Sequence, residues 1–94
     1  MYKIKKYSYE QAKKIGVQIK PSTRKGKKID VYRNNVYLCS IGDNNYLDYP
    51  SFLELEKKNL IAPGTAEKRK KLYYLRHPEN KENTPGYFAK KILW

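Results

Sequence analysis

Acidic side chains are scarce in this sequence: nine Asp and Glu stand against 21 Lys and Arg in 94 residues, a formal net charge of +12. Cysteine is scarcer still. With Cys39 alone, no intramolecular disulfide can form, and nothing points to an oxidising compartment. His77 is the only histidine. There is no nucleophile–base order, no metal-ligand spacing and no glycine-rich phosphate loop. The chain is therefore read as non-enzymatic, with no metal and no cofactor. Arg69, Arg76, His77 and a tyrosine would suit strand transfer, but the chain is too short for such an enzyme. No apolar run approaches a membrane span, and the opening MYKIKKYSYE lacks a signal-peptide core. A soluble intracellular protein without a membrane partner is expected.

The positive charge is unevenly placed. Residues 1–33 carry +9, residues 34–67 carry −3 and residues 68–94 carry +6. Solubility needs only a modest charge of either sign. Self-repulsion at this level destabilises a compact state unless a polyanion offsets it, and nucleic acid is the commonest polyanion.

Ten Tyr, two Phe and one Trp distinguish the chain from a disordered basic tail. Its length suits one domain with a thin core. Tyr2 to Tyr7 alternates like a short strand. Ser8, with Gln11 three residues on, reads as a capping box for a helix from Tyr9 to Ile15 that Gly16 ends. Val17 to Ile19 alternates again until Pro21. Residues 20–28 then lack apolar side chains apart from Pro21 and read as an exposed, mobile, cationic loop.

Lys28 to Arg33, Asn34-Asn35 and Val36 to Ile41 read as a β-hairpin, because Asn tolerates the positive φ of primed turns. A plain register pairs Tyr32 with Tyr37, Val31 with Leu38 and Asp30 with Cys39. It sends Ile29, Val31, Val36 and Leu38 to the core, and Tyr32, Tyr37, Cys39 and Ile41 to the other face. Pro50 fits the first turn of a helix reaching about Lys58, with Phe52, Leu53 and Leu55 inward and Glu54, Glu56, Lys57 and Lys58 in water. Thr65 is placed as the cap of a helix from Ala66 to about Arg76, ended by Pro78. A polar loop follows over residues 78–84, and Thr84-Pro85 opens a last helix to Leu93. The fold class is α+β: one small domain, a hairpin or short antiparallel sheet packed with three to four short helices.

Lys20, Arg24, Lys25, Lys27 and Lys28 crowd one loop and could track a phosphate backbone, or simply stay solvated. Arg33 ends the strand beside them. In the third helix Leu72, Tyr73 and Leu75 form the apolar side. Lys68, Lys70 and Lys71 are the freer phosphate candidates there, while Arg69 and Arg76 flank the stripe and suit pairing with carboxylates such as Asp48. Tyr46, Tyr49, Tyr73 and Tyr87 are placed in core or turn packing. Tyr2, Tyr7, Tyr9, Tyr32 and Tyr37 remain for base stacking. Cys39 reads as a small core residue. Ile92, Leu93 and Trp94 are expected to dock, with Trp94 on the hairpin or third helix as the largest burial in the core.

The blocks Lys20-Pro-Ser-Thr, Lys28-Ile-Asp-Val-Tyr, Ser40-Ile-Gly42, Tyr46-Leu-Asp-Tyr-Pro50, Arg69-Lys-Lys-Leu-Tyr73 with Arg76-His77, and Pro85 to Trp94 together resemble a family. It comprises small basic proteins, without established function, encoded by large double-stranded DNA viruses and some tailed phages. The resemblance covers most of residues 9–94 and implies a viral origin, with a place in the virion interior or in host cytoplasm or nucleus. The expected activity is largely sequence-independent nucleic-acid binding, duplex DNA first, in genome compaction or packaging. The alternative is a virion structural protein whose basic blocks meet acidic surfaces of other subunits. Oligomerisation is left open.

Overall fold

Asn34 and Asn35, at φ 52° and 66°, close the hairpin as their tolerance of the left-handed region predicts. In the computed structural model, which describes residues 2–78 and 80–94, the hairpin joins strands β2 (Lys27–Arg33) and β3 (Val36–Asp43). β1 (Gln18–Pro21) pairs antiparallel with the free edge of β2, giving a three-stranded sheet in the order β1-β2-β3. Four helices complete the chain: α1 (Lys6–Lys14), α2 (Tyr49–Lys57), α3 (Thr65–Arg76) and α4 (Pro85–Leu93). The α+β class stands. The loop expected over 78–84 includes Glu79, which lies outside the described residues.

The hairpin register departs from the plain one. Tyr32 pairs with Tyr37, but Val31 pairs with Cys39 and Asp30 with Ser40, so Leu38 is an extra, bulged residue. A one-residue shift reverses every later side chain. Cys39 therefore packs against the core and Ile41 enters it, whereas Val36 is 60% exposed and Leu38 is also exposed. Burial of Ile41 opposite Ile29 gains more than Leu38 loses at the edge.

Ile19, Ile29, Val31 and Ile41 form the inner face of the sheet, with Ala12 of α1 and Phe88, Ile92 and Leu93 of α4 packed against them. Phe88 is the largest fully buried side chain, a place the sequence reading gave to Trp94. Trp94 is half-buried and packs onto α3, its ring stacked on Tyr73 at 4.7 Å and 9°. Thr84 caps α4 by accepting from Tyr87 N–H at 3.3 Å, with Pro85 in the first turn, as its sequence implies.

Two expected caps are placed differently. α1 starts at Lys6, after the extended Lys5, and residues 2–5 form no strand. They are fixed by side chains instead: Ile4 in the core and the Tyr2 hydroxyl on Asp48. Ser8 is not the cap of α1. It is buried within the helix and donates to the Ile92 carbonyl at 2.9 Å, satisfying one of the last-turn acceptors of α4. Gly16, at φ 72°, ends α1 as expected. Thr65 does not cap α3 either, and its hydroxyl donates to the Ala62 carbonyl. The carboxylate of Glu56, expected in water, accepts from Gly64 N–H and Ala66 N–H at 2.5 and 2.9 Å and ties α2 to α3.

Helix α3 also turns differently from its apolar pattern. Leu75 is 75% exposed and Leu72 is exposed too, while Ala66 is buried and Tyr73 half-buried. Its inward positions are Ala66, Lys70 and Tyr73, and the long side chains of Lys70 and of the exposed Arg69 lie over aromatic rings. Lys70 Nζ sits 4.6 Å from the Tyr49 centroid and the Arg69 guanidinium 5.7 Å from Phe52.

Candidate nucleic-acid interface

The β1–β2 connection is short and tied down, which corrects the mobile loop expected over residues 20–28. Lys20 and Pro21 belong to β1, and Lys27 and Lys28 to β2. Between them Ser22 N–H donates to the Lys28 carbonyl at 3.0 Å, and the Ser22 hydroxyl accepts from Arg24 N–H at 3.0 Å. Lys27 N–H closes on the Arg24 carbonyl at 3.1 Å. Asn44, from the turn after β3, donates through its backbone to Gly26 and through its side chain to the Lys27 carbonyl. Arg24 and Lys25 thus project from an ordered turn, exposed to solvent.

Lys28 is the main correction to the expected contact set. Its ammonium is buried and donates to Asp48 Oδ2 at 2.8 Å and to the Tyr46 carbonyl at 2.5 Å. Asp48 Oδ2 also accepts from the Tyr2 hydroxyl at 2.8 Å, and Oδ1 accepts from Ser51 N–H at 3.0 Å as the cap of α2. Burial alone would push the Asp48 carboxyl up. The hydrogen bonds from Lys28 and Ser51, the Lys28 charge and the Tyr2 hydroxyl outweigh it and hold the group below the ordinary carboxylate range. Lys28 is structural and cannot reach a phosphate. Its partnership also removes Asp48 from Arg69 and Arg76, which were expected to use it.

The other candidates divide by element. Lys20 is exposed, its ammonium 5.2 Å from the Tyr32 centroid on the outer face of the sheet. By strand parity and pairing, that face also bears Gln18, Tyr37, Asp30 and Ser40. Tyr32 and Tyr37 meet edge to face at 5.8 Å, and the Tyr37 hydroxyl joins Ser40 and Asp30 in a short chain of hydrogen bonds. Arg33, at the far end of the hairpin, is half-buried. It donates to Asn83 at 3.0 Å, and its guanidinium sits 6.0 Å from the Phe88 centroid. Lys68 and Lys71 are exposed on α3, whereas Lys70 is partly withdrawn over Tyr49. Arg24, Lys25 and Lys27 therefore lie together at the β1–β2 turn, Lys20 lies on the outer face of the adjoining strand, and Lys68 and Lys71 belong to a separate helix.

The tyrosines also sort differently from expectation. Tyr46 is 71% exposed rather than packed. Tyr2 and Tyr7 are occupied, the first by Asp48 and the second by the Tyr49 ring at 5.2 Å. Tyr9, Tyr32 and Tyr37 keep accessible ring surface. Burial pushes the Cys39 thiol up, with the Asp30 charge adding to the effect, so it is a poor nucleophile.

The sequence reading missed a groove of about 710 Å³ between the β3–α2 loop, α3 and the end of α4, with Arg69, Arg76, His77 and Trp94 on its walls. Among the described residues, no helix is long and apolar enough to cross a membrane. No protein-family model, curated protein or solved structure matches this chain.

Proposed function

We propose that this protein is a non-enzymatic, largely sequence-independent nucleic-acid-binding protein, with duplex DNA as its first partner. The carrying observation is cationic excess with few carboxylate partners. Among the described residues, ion pairs engage only Lys5, Lys28 and Lys58, against a net charge of +12. The ordered turn bearing Arg24, Lys25 and Lys27, with Lys20 on the adjoining strand, presents cations to phosphate oxygens. Rigid presentation matters because less side-chain and loop freedom is lost on binding. Tyr32, under the Lys20 ammonium, and Tyr37 beside it add aromatic surface toward the other end of the hairpin.

The resemblance to small basic viral proteins extends this proposal to compaction or packaging of a viral genome in the virion or the infected cell. Gel shift with duplex DNA at low and moderate salt tests the binding itself. A complex that weakens steeply with salt supports the reading. No shift with duplex at micromolar protein and about 50 mM salt ends it.

A second reading, a virion structural protein, is favoured by one observation. The exposed apolar residues Leu72 and Leu75 on α3 are unusual for a surface with no partner. Retention on capsid shells emptied of DNA supports that reading, and loss with the genome supports the first.

A further inference from the structure

We infer that the groove beside Trp94 is a binding site for one unpaired nucleotide of a nucleic-acid strand. This rests on the nucleic-acid reading and adds to it a site for a single-stranded segment, apart from the sheet and turn that face duplex.

The geometry carries the assignment. Tyr73 lies between two rings: Trp94 stacked on it at 4.7 Å and His77 tilted over it at 4.5 Å. These rings line the groove, and Tyr46, exposed on the β3–α2 loop, lines it too and offers a further aromatic surface. Aromatic surfaces of this kind hold bases without regard to sequence, for about 1–3 kcal/mol per base. Arg69 and Arg76, both exposed, stand seven residues apart on α3, about 10 Å along its axis. Their planar forks suit phosphate oxygens in a way a lysine does not. Among the described residues, the one acidic side chain lining the groove, Asp48, is buried and paired with Lys28, so it does not oppose the arginines there.

The volume falls within the range of about 300–1,000 Å³ that accommodates small ligands. The floor is firm. A Cβ at Gly42, which has φ +80°, would lie 2.9 Å from both Leu93 Cδ1 and Lys28 Cδ. Gly42 thus lets the side chains of Leu93 and Lys28 close on the backbone at the floor of the groove. Charge and aromatic surface thus converge on one ligand chemistry: a base joined to a phosphate.

Trp94 is the only indole, so its emission reports directly on the site. A 5′-phosphorylated thymidine trinucleotide, a blunt DNA duplex and inorganic phosphate are titrated separately into the whole protein, with duplex binding also followed by gel shift. The trinucleotide is expected to change Trp94 emission saturably. The double variant Arg69→Lys with Arg76→Lys keeps the charge but loses the forks. It should weaken that binding about tenfold, the effect of roughly 1.4 kcal/mol, while blunt-duplex affinity stays within about twofold. A trinucleotide that leaves Trp94 unchanged, while duplex still binds, overturns the groove assignment and leaves the general reading intact. Failure of both ligands removes both. A response to inorganic phosphate as strong as to the trinucleotide overturns the nucleotide assignment, because the base then contributes nothing.

Discussion

The ammonium of Lys28 lies 2.8 Å from Asp48 Oδ2, with the two side chains 5% and 1% exposed. A cation from the most basic stretch of the chain thus holds the N-terminal cap of α2 against the sheet. Removing one partner strands the other charge without solvent. Lys28→Ala is therefore expected to destabilise the fold by about 3–5 kcal/mol in urea unfolding. Lys28→Met with Asp48→Asn should recover much of that loss, since no buried charge is left unpaired. A single variant as stable as the parent would show that water reaches the pair.

The same carboxyl sets the acid limit of the fold. Its folded-state affinity for protons is depressed relative to the unfolded chain, so its contribution is complete above the ordinary carboxylate range. That contribution is lost as pH falls through the lower folded value. At the alkaline end the sign reverses. Burial, then the hydrogen bond and charge of Glu67, push Tyr49 up to about 12, and burial followed by Asp48 pushes Tyr2 up further. Their stabilisation is complete below about pH 10, the ordinary tyrosine value, and disappears as pH rises toward the folded values. Ultraviolet titration of the ten tyrosines should show a late-ionising group that merges with the rest in denaturant.

Replacing Arg24, Lys25 and Lys27 by Ala should weaken duplex binding about uniformly across sequences. If each neutralises one phosphate, the salt slope falls by up to about 2.7. Thermal stability should barely change, because none of the three side chains has a described ion-pair or hydrogen-bond partner. Unchanged affinity would transfer the duplex contact to Lys68 and Lys71.

Glu56→Gln retains one acceptor oxygen for α3, whereas Glu56→Ala retains none. The alanine variant is expected to lose about 1–2 kcal/mol, by analogy with removal of a helix cap. Hydrogen exchange should locate the loss at the first turn of α3. Equal protection in parent and variant would mean that water replaces the carboxylate there.

Deleting residues 92–94 removes Ile92 and Leu93 from the core and the ring that stacks on Tyr73. The truncated chain is expected to unfold or aggregate at room temperature, which circular dichroism would report. Trp94→Ala alone should cost less, because the indole is only half-buried.

Local chemistry was legible and tertiary partnership was not. Asn34-Asn35, Gly16 and Thr84-Pro85 act within a few residues, so their turns and caps could be read directly. The bulge at Leu38 keeps the same alternation of apolar residues, and only burial of Ile41 reveals the shift. Lys28 looks like its cationic neighbours until Asp48, twenty residues away, is placed beside it. Ser8 and Glu56 carry ordinary cap chemistry, but spend it on α4 and α3 rather than on nearby groups. The groove draws on separate segments of chain, so no local spacing could signal it.

The bond from Ser8 to the Ile92 carbonyl spans 84 residues. Helix α1 is therefore made while its proper neighbour is still unmade. At about 5–20 residues per second, the wait is roughly 4–17 s. During it Ile4, Ala12 and the inner face of the sheet lack Phe88, Ile92 and Leu93, and the nascent chain presents apolar surface among many positive charges. That chain emerges beside ribosomal RNA, the nearest large polyanion.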